Sequence, residues 1–333
     1  MALYTGGKSF RRFTIGLYKR QKLNKHYSDS NKMNKQNNRV LKTAIAIIGI
    51  ALPATINFAS AQTLSKTAKV GKGIYEIVFS EKDNALYIAS AGSRTAPAGY
   101  IYKVNAKDLS VIDSIDVKVA PAYGLGINQK TQRLYTTNTR SNSVHAIDLK
   151  TGKILATITN GKEKPHVREV IVDEDKNLVY VSDVQKEGII WVIDGKTNKL
   201  SHLIENVGES TTGIALDKKR NQLYAVNMAS KDISVVDLKS NKVVRKFPSG
   251  GEGSINLVYD AKGDRLFVAH QKSNNVTVIK PATGEIIKTI PAGNGALGIN
   301  FDTKNNLVYV ASRGDGNVTV INGDNYEVVQ TIA

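Results

Sequence analysis

The chain of 333 residues contains no cysteine. That excludes disulfides, thiolate metal sites and cysteine nucleophiles. It suits an oxidising compartment, where a free thiol is a liability. Acidic residues are scarce in the first 61 positions, where Asp29 faces 11 Lys and Arg. This segment therefore supplies +10 of the formal +17, and the remainder only +7. A moderately basic body permits binding of an anion or nucleic acid without demanding it.

Histidine is also sparse. His26, His145, His166, His202 and His270 share no short metal-binding spacing. There is no nucleophile elbow, no phosphate-cradling glycine loop and no zinc-binding helix motif. Without cysteine, attached c-type haem is ruled out. The chain is therefore expected to be non-catalytic and to carry no cofactor.

Long apolar runs are missing except at Ala44 to Leu52. Lys35, Arg39 and Lys42 precede this run, and Ala59-Ser60-Ala61 follows it with a small-x-small pattern. That order reads as a secretory signal over 33–61, cleaved after Ala61. The run is about half a comfortable bilayer span, and Pro53 interrupts it. Residues 1–32 are basic and polar and read as a non-native or disordered extension, with translation starting at Met33. The mature chain, 62–333, is expected in the periplasm or secreted, without membrane contact.

From residue 71 onward the sequence repeats. An apolar-aromatic pair recurs as Leu86-Tyr87, Leu134-Tyr135, Val179-Tyr180, Leu223-Tyr224, Leu266-Phe267 and Val308-Tyr309. The steps are 48, 45, 44, 43 and 42 residues. Each unit holds four short β-type segments and no helical pattern, which predicts the four-stranded antiparallel blades of an all-β propeller. The segments before the fourth strand, DLKTGK at 148–153, DGKTNK at 194–199 and DLKSNK at 237–242, share one grammar. Asp148, Asp194 and Asp237 are expected to cap turns rather than bind metal, with Gly152, Asn198 and Asn241 at positive φ.

Residues 63–73 resemble the end of a blade and precede the first complete one. Six complete blades plus this orphan strand suggest a seven-bladed type with its seventh blade truncated. A six-bladed ring with a spare strand is the alternative.

The segments LYTTN at 134–138 and LYAVN at 223–227 resemble the signature of the YVTN β-propeller repeat family. Longer stretches, such as 71–90, 168–182, 189–200 and 210–227, are similar to the YncE-like periplasmic propellers of bacteria. The resemblance runs from about residue 63 to the end. It implies a seven-bladed, exported, non-catalytic propeller and an association with single-stranded DNA.

Binding residues are sought on the face where the blades begin. Each loop between second and third strands supplies a cation there: Arg94, Arg140, Lys186, Lys231, Lys272 and Arg313. The segments leading into blades add Lys72, Lys162, Lys164 and Arg168. Tyr75, Tyr100, Tyr123 and Trp191 are candidate stacking residues. Cations with aromatics suit single-stranded DNA or another anionic polymer. Glu76, His166, Arg168 and Glu169 are placed to line a central channel. The longest loop, 92–100, is a further candidate for the binding face. Alternatives are a cofactor-binding or quinoprotein-like propeller subunit, or a scaffold for a protein partner.

Overall fold

The aromatic that marks each repeat is a packing residue. Tyr87, Tyr135, Tyr180, Tyr224, Phe267 and Tyr309 are all buried in their second strands. Each large ring removes a large apolar area from water. In the computed structural model, which describes residues 2–5, 13–20, 62–93, 95–161 and 166–333, these rings lie between successive sheets. Positions 33–61, with the expected signal, lie outside the described residues, as do Arg94, Lys162 and Lys164.

The architecture is an all-β propeller of six four-stranded antiparallel blades. Blade 1 runs Ile74–Ser80, Ala85–Gly92, Pro97–Asn105 and Val111–Asp116. Blades 2 to 6 begin with the inner strands Gly124–Asn128, Val167–Asp173, Thr211–Asp217, Ser254–Asp260 and Ala296–Asp302. The last blade ends at Val328–Ile332. Inner strands of consecutive blades neighbour one another around the central axis.

Burial explains the sequence grammar. Second and third strands are covered on both faces by adjacent blades. Leu178–Asp183 and Gly188–Asp194 are accordingly buried almost throughout. Outer strands alternate, as Lys242–Pro248 does, because one of their faces meets water.

The repeated aspartates behave as turn caps. Asp148 accepts the backbone N–H of Thr151 at 2.9 Å, and Asp194 that of Lys196 at 2.7 Å. Asp237 accepts from the Ser240 N–H at 3.1 Å. Gly152, Asn198 and Asn241 have φ of 67°, 53° and 56°. That left-handed geometry favours Gly and Asn.

A separate three-stranded sheet joins Ala2–Thr5, Phe13–Arg20 and Gln62–Lys69 in that order. Thus the expected orphan strand pairs with a strand from the leading segment. Ala2–Thr5 lies against the second and third strands of blade 6. At the other side, Ala68 and Val70 pack with Ile74, Leu86 and Ile88 of blade 1.

On the face holding the turns between inner and second strands, charged side chains link blades. Asp175 pairs with Lys130 at 2.5 Å and Lys218 at 2.9 Å, and Arg220 reaches Asp264 at 2.6 Å. The opposite face carries the candidate site.

Candidate binding site at the channel mouth

Six equivalent inner-strand positions surround the axis. Each lies four residues before the polar residue that ends its strand: Glu76, Gly124, Glu169, Gly213, Asn256 and Gly298. Five of these strands break register here, between Ile74 and Ile77, Val167 and Val170, Thr211 and Ile214, Ser254 and Asn256, and Ala296 and Gly298. Such bulges redirect side chains out of the regular alternation.

Glycine has a packing reason at two of these positions. A Cβ on Gly124 would lie 2.3 Å from the Arg168 carbonyl oxygen, and one on Gly213 2.6 Å from the Asn256 side chain. At Gly298 the nearest atom would be the Ala311 Cβ at 3.6 Å, so that position is roomy. Neighbouring inner strands therefore approach closely while the axis stays open.

The bulges are held by hydroxyls in, or just after, second strands. Thr137 Oγ1 donates to the Arg168 carbonyl at 2.5 Å and accepts the Gly124 N–H at 2.8 Å. Thr139 donates to the Val167 carbonyl at 2.7 Å. Ser182 donates to the Thr212 carbonyl at 2.5 Å and accepts the Glu169 N–H at 3.0 Å. Every one of these donations to a carbonyl crosses from one blade to the next.

The result is a cavity of about 690 Å³ at the channel mouth, within the usual range for small-ligand pockets. Tyr75, Glu76, Tyr123, Arg140, His166, Arg168, Glu169 and Arg313 all line it. Tyr75 is 46% exposed and meets Tyr123 edge-on, with ring centres 4.6 Å apart. Arg140 lies over the Tyr123 ring at 5.5 Å.

Electrostatically the floor and rim differ. Burial, then the charge of Glu169, pushes the Glu76 carboxyl up to about 8, while Arg168 opposes the shift. Burial also raises Glu169, again against Arg168. The pair therefore holds on to a proton into the neutral range. Arg140 and Arg313 supply positive charge at the rim.

Other sequence candidates fall elsewhere. Trp191 is fully buried, and its indole N–H donates to Asp183 at 3.1 Å. Asp183 also accepts the His166 backbone N–H at 2.7 Å. Trp191 is thus a core residue that steadies the approach to His166, not a stacking surface. Lys186, Lys231 and Lys272 are exposed but are not in the cavity lining. Lys231 pairs with Glu252 at 2.6 Å. Lys72 and Tyr100 line a different cavity of about 530 Å³, where Lys118 sits over the Tyr100 ring at 4.7 Å.

His145 and His270 are packed in the interior. Burial lowers both, His270 to about 4, and the His270 ring nitrogens bond Ser254 and Thr277, each at 2.9 Å. Asn256, Thr139 and the axial glycines were missed by charge and aromaticity alone. For Asn256 and the glycines the signal was shared register in the inner strand; Thr139, in the turn after a second strand, carried none.

Comparison with known proteins agrees with this architecture. YncE of Escherichia coli (strain K12) is 32% identical over 203 residues, 59% of this chain and 57% of that protein. YncE of Salmonella typhimurium is 34% identical over the same length and shares. The match thus spans little more than half the length of these relatives. Hydrazine synthase of Kuenenia stuttgartiensis is similar in fold, with a TM-score of 0.64, 21% identity, and coverage of 76% of this chain and 77% of that one. A profile described as a YNCE-like beta-propeller matches residues 35–306, and the chain belongs to that family of propellers.

Proposed function

We propose that this chain is an exported, non-catalytic binding propeller, and that an extended anionic polymer lies across its channel mouth. Single-stranded DNA is the polymer to test first. The observation that carries the reading is Tyr75, 46% exposed in a cavity whose rim holds Arg140 from blade 2 and Arg313 from blade 6. An open aromatic face between two cations combines base stacking with phosphate attraction. Lys186 and Lys272 extend positive charge along the same face. The +7 of residues 62–333 favours approach of a polyanion.

Export belongs to the same proposal. It is supported by the basic, apolar and small-residue order of 33–61, and mass measurement of the chain from a periplasmic fraction tests it. So does a seven-bladed ancestry with one incomplete sector. That is supported by Gln62–Lys69 lying at the edge of its sheet, where a fourth strand sits in the complete blades.

Anisotropy of a labelled oligonucleotide, titrated over a salt series, tests the binding reading. Affinity is expected to fall steeply with salt, by about 0.7 log units per log unit for each phosphate engaged. Arg140→Ala with Arg313→Ala is expected to flatten that slope. Binding indifferent to salt sinks the phosphate-driven reading.

A further inference from the structure

The channel floor has a chemistry opposite to that of its rim. Of the six axial positions, three are glycine, one is Asn256 and two are glutamates. Glu76 and Glu169 therefore project into space that the other blades leave empty.

Among the described residues the protein engages these two carboxylates only weakly. Glu76 accepts only the N–H of Ile77, its own chain neighbour, at 3.3 Å. Glu169 accepts no hydrogen bond among the described residues, and no ion pair there includes either residue. Arg168 acts on both at longer range but is not paired with them. Recessed carboxylates with so little hydrogen bonding are costly to ionise, and the cost falls when a cation seats between them.

We propose that the floor of the channel is a subsite for an organic ammonium group, held between Glu76 and Glu169 and flanked by Tyr75 and Tyr123. The inference goes beyond the polyanion reading and does not depend on it. A bare metal ion fits less well. Among the described residues no group of three or more His, Cys, Asp or Glu is placed to hold a metal. Hard divalent ions require six or more oxygens, whereas this floor offers two carboxylates and an amide. The cavity of about 690 Å³ is also far larger than an ion. Tyr75, the exposed ring of the pair, suits an organic cation, whose charge is attracted to a ring face and whose carbon skeleton is covered by it. Among the described residues, the other ionisable groups around the cavity are Arg140, His166, Arg168 and Arg313. Their positive charge favours a ligand that turns its ammonium inward and a neutral or anionic end outward.

The test uses the full chain in calorimetric titration with benzylamine, and with benzyl alcohol as a neutral probe of nearly the same shape. Saturable binding of benzylamine is expected, with none of the alcohol. Repetition in buffers of different ionisation enthalpy should show proton release, as the seated ammonium drives the carboxyl pair to ionise. Glu76→Gln with Glu169→Gln keeps shape and hydrogen-bonding capacity while removing charge. It is expected to weaken benzylamine at least about tenfold, the usual scale for losing one side of a recessed charge pair. Circular dichroism of the variant confirms that the fold persists. Equal binding of amine and alcohol, no binding of the amine, no proton release, or unchanged affinity in the folded double variant overturns the proposal. Salt-insensitive oligonucleotide binding would leave it standing, so the two readings fail separately.

Discussion

Thr137 Oγ1 donates to the Arg168 carbonyl at 2.5 Å, tying the second strand of blade 2 to the inner-strand bulge of blade 3. The same oxygen accepts the Gly124 N–H at 2.8 Å. One hydroxyl thus satisfies two backbone groups at the wall of the cavity. Thr137→Val keeps the shape and strands both groups. It is expected to cost about 2–6 kcal/mol, from roughly 1–3 for each of the two buried groups left unpaired. Urea unfolding checks this, and a loss below about 0.5 kcal/mol would mean that water or a shifted backbone replaces the hydroxyl.

The axial glycines divide into two kinds. Gly124→Ala places a Cβ 2.3 Å from a backbone oxygen, which cannot swing away as a side-chain tip can. It is expected to destabilise by at least about 1–3 kcal/mol, as overpacking does. Gly298→Ala meets only the Ala311 Cβ at 3.6 Å and should leave stability within about 0.5 kcal/mol. Thermal unfolding of the two variants side by side gives the comparison. Equal effects would contradict the close approach of blades 2 and 3.

Glu76 gives stability a pH signature. Its folded-state value, pushed up to about 8, lies above the ordinary 4.5, so the folded state binds the proton more tightly. Stability linked to this group is complete below about pH 4.5 and declines as pH rises towards 8. Glu76→Gln cannot ionise, so it is expected to gain stability relative to the parent at pH 8 and little at pH 4. Denaturant midpoints across that range check the sign. A gain confined to low pH contradicts it.

Trp191 separates packing from binding. Trp191→Phe removes the donor to Asp183 Oδ2 and leaves a buried carboxylate oxygen without that bond. A stability loss of about 1–3 kcal/mol is expected. Oligonucleotide affinity of the folded variant should stay within about twofold, since the ring does not face the cavity. A large loss of affinity at unchanged stability would restore Trp191 to the binding surface.

The repeat, its strands and its capping aspartates were legible because they depend on contacts within about 20 residues of chain. Asp148, Asp194 and Asp237 each act on backbone a few residues ahead, so identical spelling meant identical geometry. The gathering of cations was less legible. Arg140 and Arg313 meet at one mouth although 173 positions separate them, while Lys231 in the equivalent loop turns to Glu252. Which loop cation points inward depends on local rotamers and loop paths that the repeat period does not encode. Trp191 misled because a third strand here is covered on both faces, so alternation no longer marks an exposed side.

Both rims of the propeller carry ion pairs between blades, Lys231–Glu252 among them at the mouth, but the bulges that shape the mouth are held in another way. The far rim has Lys130–Asp175–Lys218 and Arg220–Asp264, charges that ions in solution weaken. The mouth is pinned by the neutral hydroxyls of Thr137, Thr139 and Ser182, which ionic strength hardly touches. The bore of the aperture is thus set by bonds that carry no charge, so brine that screens its arginines leaves its outline as it was.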